Sequence, residues 1–312
     1  MRTITLCILA LALAACGGGT SGRKAAETAP AKPTTFVFPE IPDLMTEPDQ
    51  RLAYLVRHFW DEFDFADSTS LTNPDVGEQG FANFIALLPQ ALPGDAGAAL
   101  DSLVKRAAPH PAALTFLLTN AEKYLYDPNS PYVNEELYAT LVRPLLALPS
   151  VGYADKSRLT FRLDLIAKNR PGTPATDFPF LLYPREEPSS LHATPARELL
   201  LVFYDPECEH CQATLQALVA SEELAARIKG GLRVLAVYTE GNQEVWRETA
   251  PLLPHTWTVA TDTACAVKDT PLYDLKAMPS LYLLDADKKV VLKDTSLPAL
   301  LQRWKENGSI DN

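Results

Sequence analysis

The chain has 312 residues, with 28 basic against 39 acidic side chains and a formal net charge of −11 at pH 7. Nucleic acids demand a basic footprint on the protein, so this acidic chain is a poor candidate for binding them. The sequence contains no phosphate-binding glycine motif, dinucleotide fingerprint or internal repeat, and it therefore implies no dissociable cofactor. Its length leaves room for two domains of ordinary size.

The N-terminus has the pattern of an export signal. Arg2 supplies a thin positive charge, and an apolar run follows over residues 4–15. That run is shorter than the roughly 20 residues that a transmembrane helix needs. The four residues Leu-Ala-Ala-Cys that end at Cys16 resemble the lipobox of bacterial lipoproteins, which implies removal of residues 1–15 and lipidation of Cys16. The alternative is a secretory signal without a lipid.

Residues 16–35 would then comprise the lipidated Cys16 and a stretch rich in Gly, Ala, Pro and Thr. This composition is typical of a flexible tether, which would span on the order of 25 Å. After removal of residues 1–15, 27 basic and 39 acidic residues leave a formal charge of −12. We expect a lipid-anchored protein of the bacterial cell envelope, in the outer membrane, with its folded part in the periplasm or at the surface.

Residues 36–170 are predicted to form an α-helical domain, because apolar residues recur at a spacing of three and four. Pro144 is expected to kink or divide the fifth helix. The apolar stripes are Leu52, Leu55, Val56, Phe59, Trp60 and Phe63; Phe81, Phe84, Ile85 and Leu88; Leu100, Leu103, Val104 and Ala107; Leu114, Leu117, Leu118, Ala121 and Leu125; Leu137, Leu141, Leu145 and Leu148; and Leu159, Leu163 and Ile166.

No chemistry is evident in this helical domain. His58 stands beside two acidic residues, which favours a histidine on a helix surface over a ligand or a base. Trp60, Phe63 and Phe65 are interpreted as part of a core or a docking face. Residues 54–65 resemble an uncharacterised helical module that precedes thioredoxin-like domains in bacterial lipoproteins. This resemblance supplies no activity, so the domain is predicted to bind a partner or to position the domain that follows.

Residues 171–312 alternate between strand and helix patterns, which predicts an α/β sheet that a C-terminal hairpin makes mixed. One helix is expected from Glu209 to Ile228, because basic charge and glycine follow it. Two further helices are predicted at Gln243–Ala250 and Leu297–Lys305. The predicted strands are Phe178–Tyr183, Leu191-His192, Leu199–Tyr204, Leu232–Tyr238, Thr256–Ala260, Leu281–Asp285 and Val290–Lys293.

A Cys-Glu-His-Cys motif follows the apolar strand Leu199–Tyr204 and opens the next predicted helix. Unpaired N–H groups and the positive end of the helix dipole favour an anion there, so Cys208 is expected to ionise more readily than a free cysteine. Cys7 would leave with the signal and Cys16 would carry the lipid. The exported chain then has no framework of other cysteine pairs, and Cys208 and Cys211 are interpreted as redox-active.

The strand, the cysteine pair, the helix and a later strand introduced by Met278-Pro279 resemble the thioredoxin fold. They resemble more closely the membrane-tethered TlpA/ResA-like thiol:disulfide oxidoreductases, whose opening segment residues 172–178 resemble. The resemblance covers residues 171–312 and implies thiol–disulfide exchange on exported proteins, with Cys208 as the attacking thiol and Cys211 as the resolving thiol. It also implies a cis peptide bond at Pro279, which with the backbone of Met278 would shape a groove for the substrate chain.

The direction of electron flow stays open between reductant, oxidant and isomerase. His210 should stabilise the Cys208 thiolate, whereas Glu207 and Glu209 oppose it, and each exposed charge contributes only about 0.3–1 kcal/mol. Thr214 stands where the tethered reductases often carry an acid. Proton transfer to Cys211 would therefore use another group or water.

Other interpretations remain at this stage. A zinc site needs four ligands, and Cys265, His192, His255 and His210 show no ligand spacing that would complete one, so no metal is predicted. Cys265 is interpreted as an apolar filler, a third redox thiol or a source of an intermolecular bond. The main alternative function is a non-enzymatic envelope lipoprotein that binds a partner through its helical domain and carries a vestigial redox pair. The enzyme reading takes protein thiols or disulfides as its substrates.

Overall fold

The computed structural model of the chain describes residues 33–308. The predicted signal at residues 1–15, Cys16 and most of the predicted tether at residues 16–35 lie outside the described residues. The described chain forms a helical region, residues 48–167, followed by a sheet region, residues 179–308. Between residues 33 and 308 no helix combines the length and the apolar character that crossing a membrane would require.

Seven α-helices of the helical region follow the predicted apolar stripes, with one short addition. Three of them begin at a proline, where the missing N–H would have had no partner within the helix. The α-helices of this region are α1 Pro48–His58, α2 Ser68–Thr72, α3 Gln79–Leu87, α4 Pro93–Ala107, α5 Pro111–Asn120, α6 Glu135–Val142 and α7 Tyr153–Ala167. Short π-helical and 3₁₀ segments link several of them, at Pro74–Glu78, Leu88–Gln90, Ala121–Tyr126 and Pro144–Ala147.

The apolar stripes meet in one core, and the aromatic residues singled out in the sequence lie in or against it. Trp60 and Phe65 are buried and Phe63 is partly buried, so they belong to a core and not to an open docking face. The first predicted stripe extended to Phe63, but α1 ends at His58, and Phe63 lies in a turn. The expected division at Pro144 is confirmed, because α6 ends at Val142 and a 3₁₀ turn follows.

The sheet region contains one mixed seven-stranded sheet with the strand order β2-β1-β5-β4-β3-β6-β7. The strands are β1 Pro179–Leu182, β2 Glu187–Ser190, β3 Glu198–Tyr204, β4 Leu232–Tyr238, β5 Thr258–Thr261, β6 Ser280–Asp285 and β7 Val290–Thr295. β3 is parallel to β4 and antiparallel to β6, and β7 pairs with β6 as the predicted hairpin. The predicted fold class, a mixed sheet flanked by helices after an all-α part, is confirmed.

Helices pack on the sheet so that both of its faces are buried. Alternate residues of β3 face different cores: Leu200, Val202 and Tyr204 face one, and Leu199, Leu201 and Phe203 face the other. The helices of this region are α8 Glu209–Ala220, α9 Glu222–Lys229, α10 Gln243–Thr249, α11 Ala266–Asp269 and α12 Leu297–Gly308. β3 therefore lies in the middle of the sheet, and its C-terminal end is held from both sides.

Two local predictions in the sheet region are wrong, and one short helix was missed. The single helix expected from Glu209 to Ile228 is divided at Ser221, whose Oγ accepts a hydrogen bond from the Leu224 N–H at 3.2 Å and caps α9. The strand expected at Leu191-His192 is a turn, and the second strand lies earlier, at β2. The short helix α11 was not predicted, because a one-turn helix carries too little periodicity to detect.

Candidate active site

The first turn of α8 presents the two cysteines of the motif. β3 ends at Tyr204, and Asp205-Pro206 turns the chain into α8. Cys208 is the N-cap residue of α8, with φ −88° and ψ 119°, and its Sγ accepts a hydrogen bond from the Cys211 N–H at 3.5 Å. The predicted placement of Cys208 at a helix N-terminus is confirmed, and the Cys211 N–H of that first turn faces its sulfur.

Hydrogen bonds fix the turn between β3 and α8. The Cys208 N–H donates to the Asp205 carbonyl at 3.2 Å, and the Glu207 N–H donates to Asp205 Oδ1 at 3.0 Å. Gln212 Nε2 donates to the Pro206 carbonyl at 2.6 Å. Because the end of a buried central strand anchors this turn, the position of Cys208 is set by the sheet.

The two cysteines differ in exposure and in acidity. Cys208 is half-buried, whereas Cys211 is fully buried, and both are free thiols. Burial raises the pKa of the Cys211 thiol to about 12, and the neighbouring Cys208 and Asp205 add to the rise. The Asp205 N–H, 3.5 Å from Cys211 Sγ, lowers that pKa in part. A reagent from solution therefore reaches Cys208 first, while Cys211 stays protonated behind it.

The loop before β6 lies against the exposed cysteine. The Met278-Pro279 peptide bond is cis, as expected, and the Met278 carbonyl oxygen lies 3.9 Å from Cys208 Sγ. Met278 packs against the cores on both faces of the sheet. Residues that stand 70 positions apart in the chain thus meet at the same end of the neighbouring strands β3 and β6. A second cis proline, Pro184, was not predicted.

His210 is exposed on the first turn of α8. It lines a cleft of about 620 Å³ together with Pro279 and with residues of the helical region, Glu136 among them. The structure therefore brings Cys208, His210, Cys211, Met278 and Pro279 to one place. Cys16, the remaining predicted site residue, lies outside the described residues.

Cys265, interpreted as an apolar filler, a third redox thiol or a source of an intermolecular bond, lies apart from the pair at the start of α11. It is half-buried, adopts a left-handed conformation with φ 50° and caps the short helix α11. Gly241 approaches its sulfur so closely that a Cβ added to the glycine would lie 2.6 Å from Sγ. Partial burial and the nearby carboxylates, Asp269 foremost, raise the pKa of Cys265.

Two of the histidines considered as ligands, His192 and His58, lie in ordinary structural contacts. His192 Nε2 lies 2.8 Å from the Ala175 carbonyl oxygen, and His58 Nδ1 lies 2.7 Å from Asp61 Oδ2. Within residues 33–308 no group of three or more His, Cys, Asp or Glu side chains is arranged to hold a metal ion.

The sequence reasoning missed Asp205 and a charged cluster beside the site. Asp205 follows β3 directly, and its position at the end of a buried strand was the signal that could have found it. The cluster joins Glu135 of the helical region to Lys276 and Lys293 of the sheet region. No local pattern marks this cluster, because Glu135 and Lys276 are 141 positions apart.

The chain is similar to a thioredoxin-like protein from Bacteroides caccae, with 34% identity over 86% of this chain and 97% of that one and a TM-score of 0.80. It is also similar to the C-terminal domain of an uncharacterized protein from Bacteroides fragilis, with 34% identity, coverage of 44% and 98%, and a TM-score of 0.43. A third similarity is to the thioredoxin domain of a thiol-disulfide oxidoreductase from Bacteroides vulgatus, with 20% identity, coverage of 44% of this chain and 96% of that one, and a TM-score of 0.39.

The N-terminal half has its own match. Residues 15–169 match a family described as a domain of unknown function, DUF5106. No curated protein is similar enough to the chain to match it. The match to the Bacteroides caccae protein extends across both the helical and the sheet regions, since it covers 86% of the chain.

Proposed function

The chain belongs to the thioredoxin-like proteins, and from that membership and the geometry of its cysteine pair we propose that it catalyses thiol–disulfide exchange on other proteins. One observation carries the proposal. A half-buried thiol, Cys208, faces solvent and the Met278 carbonyl, and a fully buried thiol, Cys211, stands behind it on the same helical turn. This arrangement separates the two roles that exchange chemistry requires.

In the first step the Cys208 thiolate attacks one sulfur of a substrate disulfide. A bond forms between Cys208 Sγ and that sulfur, the substrate disulfide bond breaks, and the other substrate sulfur leaves as a thiolate. Cys211 N–H lies 3.5 Å from Cys208 Sγ and the helix N-terminus points at it, so negative charge on this sulfur is stabilised where the attack begins.

In the second step Cys211 loses its proton and attacks Cys208 Sγ. The Cys208–Cys211 disulfide forms, and the remaining substrate sulfur leaves as a thiolate. Two electrons have then passed from the cysteine pair to the substrate, and the two substrate thiolates take up the two protons that the cysteines released. All steps are reversible, so the same residues oxidise dithiols when the reduction potential of the substrate lies below that of the cysteine pair.

Proton removal from Cys211 is the demanding part of this scheme, because burial raises its pKa to about 12. Thr214, three positions beyond Cys211, offers no carboxylate. Asp205 is the acidic residue whose backbone contacts the Cys211 sulfur and whose charge reaches it. We assign Asp205 as the group beside Cys211 that influences this proton transfer.

Single-cysteine variants test the proposed function. The reduced Cys211→Ala protein, mixed with a peptide dimer joined by one disulfide, should accumulate a covalent adduct at Cys208 that mass spectrometry detects. Cys208→Ala should accumulate no adduct, and Cys265→Ala should oxidise its pair as fast as the wild type. A wild-type protein that does not exchange with the peptide, together with a Cys211→Ala protein that forms no adduct, would favour the non-enzymatic binding protein.

The place of action is a second part of the proposal. The apolar run and the lipobox that ends at Cys16 support export and anchoring of the chain to the bacterial cell envelope by a lipid. Cys16→Ser should release the protein from the membrane fraction of the cells. A mature wild-type protein whose N-terminal peptide carries no acyl mass would contradict the anchor without affecting the redox proposal.

A further inference from the structure

A cleft separates the helical and the sheet regions beside the cysteine pair. One of its walls carries His210, which stands two positions after Cys208, and Pro279, which follows the Met278 that lies against Cys208. The other wall belongs to the helical region and includes Val133 and Glu136, both exposed. With a volume of about 620 Å³ the cleft falls in the range of 300–1,000 Å³ that is typical of binding sites.

Buried ion pairs hold the two walls together. The Glu135 carboxylate pairs with Lys276, whose side chain is 4% exposed, and with Lys293 at 2.8 Å. Lys276 stands two positions before Met278, in the loop that faces Cys208. Tyr126 OH adds a hydrogen bond to Asp274 at 3.1 Å. The cleft is therefore preformed, and binding of a ligand would require little additional free energy to order it.

Both buried cations of this cluster are paired with carboxylates, which restricts the ligand. Lys276 lies 3.2 Å from Asp274 and also pairs with Glu135, and Lys293 is satisfied by Glu135 and by the Ile166 carbonyl at 3.1 Å. The buried cations are thus neutralised, and the cleft is not expected to bind a polyanion. The Met278 carbonyl receives only a weak thiol donor at 3.9 Å, and its second lone pair can accept an N–H from a bound main chain.

We propose that the helical region, through Pro128, Asn129 and residues 133–136, forms a second wall for the extended polypeptide segment around a substrate's reactive cysteine, so that this segment binds in the cleft. The inference rests on the proposed exchange activity, because the substrate sulfur must reach Cys208. It assigns the helical region a direct role in selecting substrates by the residues that flank their cysteines. A small disulfide, which needs only Cys208, would not use this wall.

Two disulfides with the same coloured leaving group test the second wall. One is dithiobis-nitrobenzoate, and the other is a short peptide whose single cysteine is linked to nitrothiobenzoate. The reduced full-length protein converts either one to thiols while Cys208 and Cys211 form a disulfide, so the released nitrothiobenzoate reports the rate. Val133→Trp should slow the peptide reaction about tenfold, the effect of about 1.4 kcal/mol, and leave the small disulfide unaffected.

Further variants make the test decisive. Glu136→Trp, at an exposed position of the same wall, should act like Val133→Trp. Val219→Trp is the matched control, since Val219 is 52% exposed and lies outside this cleft. Equal peptide rates in the wild type and both cleft variants would overturn the second wall, and so would equal losses for the two disulfides. Failure of the wild type with both disulfides would instead refute the proposed activity.

Discussion

The two regions of the chain bury their side chains differently, and the difference locates the chemistry. The helices surround one core, with polar side chains outside it. The sheet is covered on both faces, so the strands are filled with apolar residues and reactive groups are placed where strands end. Cys208 follows the end of β3, and Pro279 precedes the start of β6. Because these two strands are antiparallel neighbours, both residues lie at the same end of the pair. The helical region supplies Glu135 and Tyr126 at the junction instead.

The junction gives the largest expected effect on stability. Lys276→Met removes a cation that is 4% exposed and leaves Asp274 without its ion-pair partner. Such a loss typically costs 3–5 kcal/mol, and we expect about 3 kcal/mol here because Glu135 keeps Lys293. Urea unfolding followed by circular dichroism measures the change in free energy. The result would show that the two regions depend on each other.

A surface pair provides the control for the junction. Lys105 pairs with Asp101 at 2.6 Å, but its side chain is 74% exposed. Lys105→Met should therefore change the free energy of unfolding by less than about 0.5 kcal/mol. A double variant, Lys276→Met with Asp274→Asn, should recover part of the loss, because the carboxylate that lost its ion-pair partner is removed. Equal effects of the two single Lys→Met changes would contradict a stabilising junction.

Two glycines probe packing within the helical region. A Cβ at Gly80 would overlap the ring of Phe36, which stacks on Phe59 with ring centroids 4.8 Å apart. Because that ring has no room to move, Gly80→Ala should cost about 1–3 kcal/mol. A Cβ at Gly97 would meet nothing within 4 Å, so Gly97→Ala should stabilise α4 by about 0.5–1 kcal/mol. Thermal unfolding of both variants compares them.

The opposite signs are the point of this pair. If both alanine variants gained stability, the Phe36 ring would not be fixed in the core. If both lost stability, the open space beside Gly97 would be filled in solution.

Sequence patterns predicted the elements that have a strong local signal. The strand Leu232–Tyr238 was predicted to both ends, because a run that is apolar except at Arg233 follows Gly231, whose φ of 106° suits glycine. The division of α8 from α9 was missed because residues 209–228 contain no glycine or proline that would mark the end of a helix at Ser221. Serine occurs within helices as well as at caps, so its presence decided nothing.

The site was predictable only in part, for the same physical reason. Cys208 and Cys211 are joined by one helical turn, which a local motif specifies. The approach of Met278 to Cys208 was predicted from a family resemblance and not from spacing. The second wall of the cleft depends on Glu135 and Lys276, and no pattern along the chain relates residues 141 positions apart.

The Ser221 cap of α9, which the sequence analysis missed, is expected to contribute moderately to stability. Ser221→Ala removes the side chain that accepts the Leu224 N–H at 3.2 Å, and loss of such a cap costs about 1 kcal/mol. Ser157→Ala is the control, since Ser157 is exposed within α7 and caps no helix; its effect should stay within about 0.5 kcal/mol. Equal free energies of unfolding for the two variants would show that α8 and α9 behave as one helix.

The smallest effect concerns the buried thiol. The negative charge of Asp205 is one of the causes that raise the pKa of Cys211 to about 12, although burial contributes most. Asp205→Asn should lower that pKa, because the charge that opposes the thiolate is removed. In a background of Cys208→Ala with Cys265→Ala, the pH profile of Cys211 alkylation should shift to lower pH by less than about one unit.

The same raised pKa fixes the sign of a stability effect. A thiol whose folded-state pKa lies above its ordinary value of 9.0 stabilises the fold below that value, and the contribution is lost as the pH rises toward about 12. The free energy of unfolding, measured under reducing conditions, should therefore decrease over this pH range, and it should decrease less with Asp205→Asn. Glu209→Gln is the control, because Glu209 is exposed and is not among the charges that raise the pKa of Cys211. If both variants left the alkylation profile unchanged, the charge of Asp205 would not act on Cys211, which would contradict its assigned role in the second step.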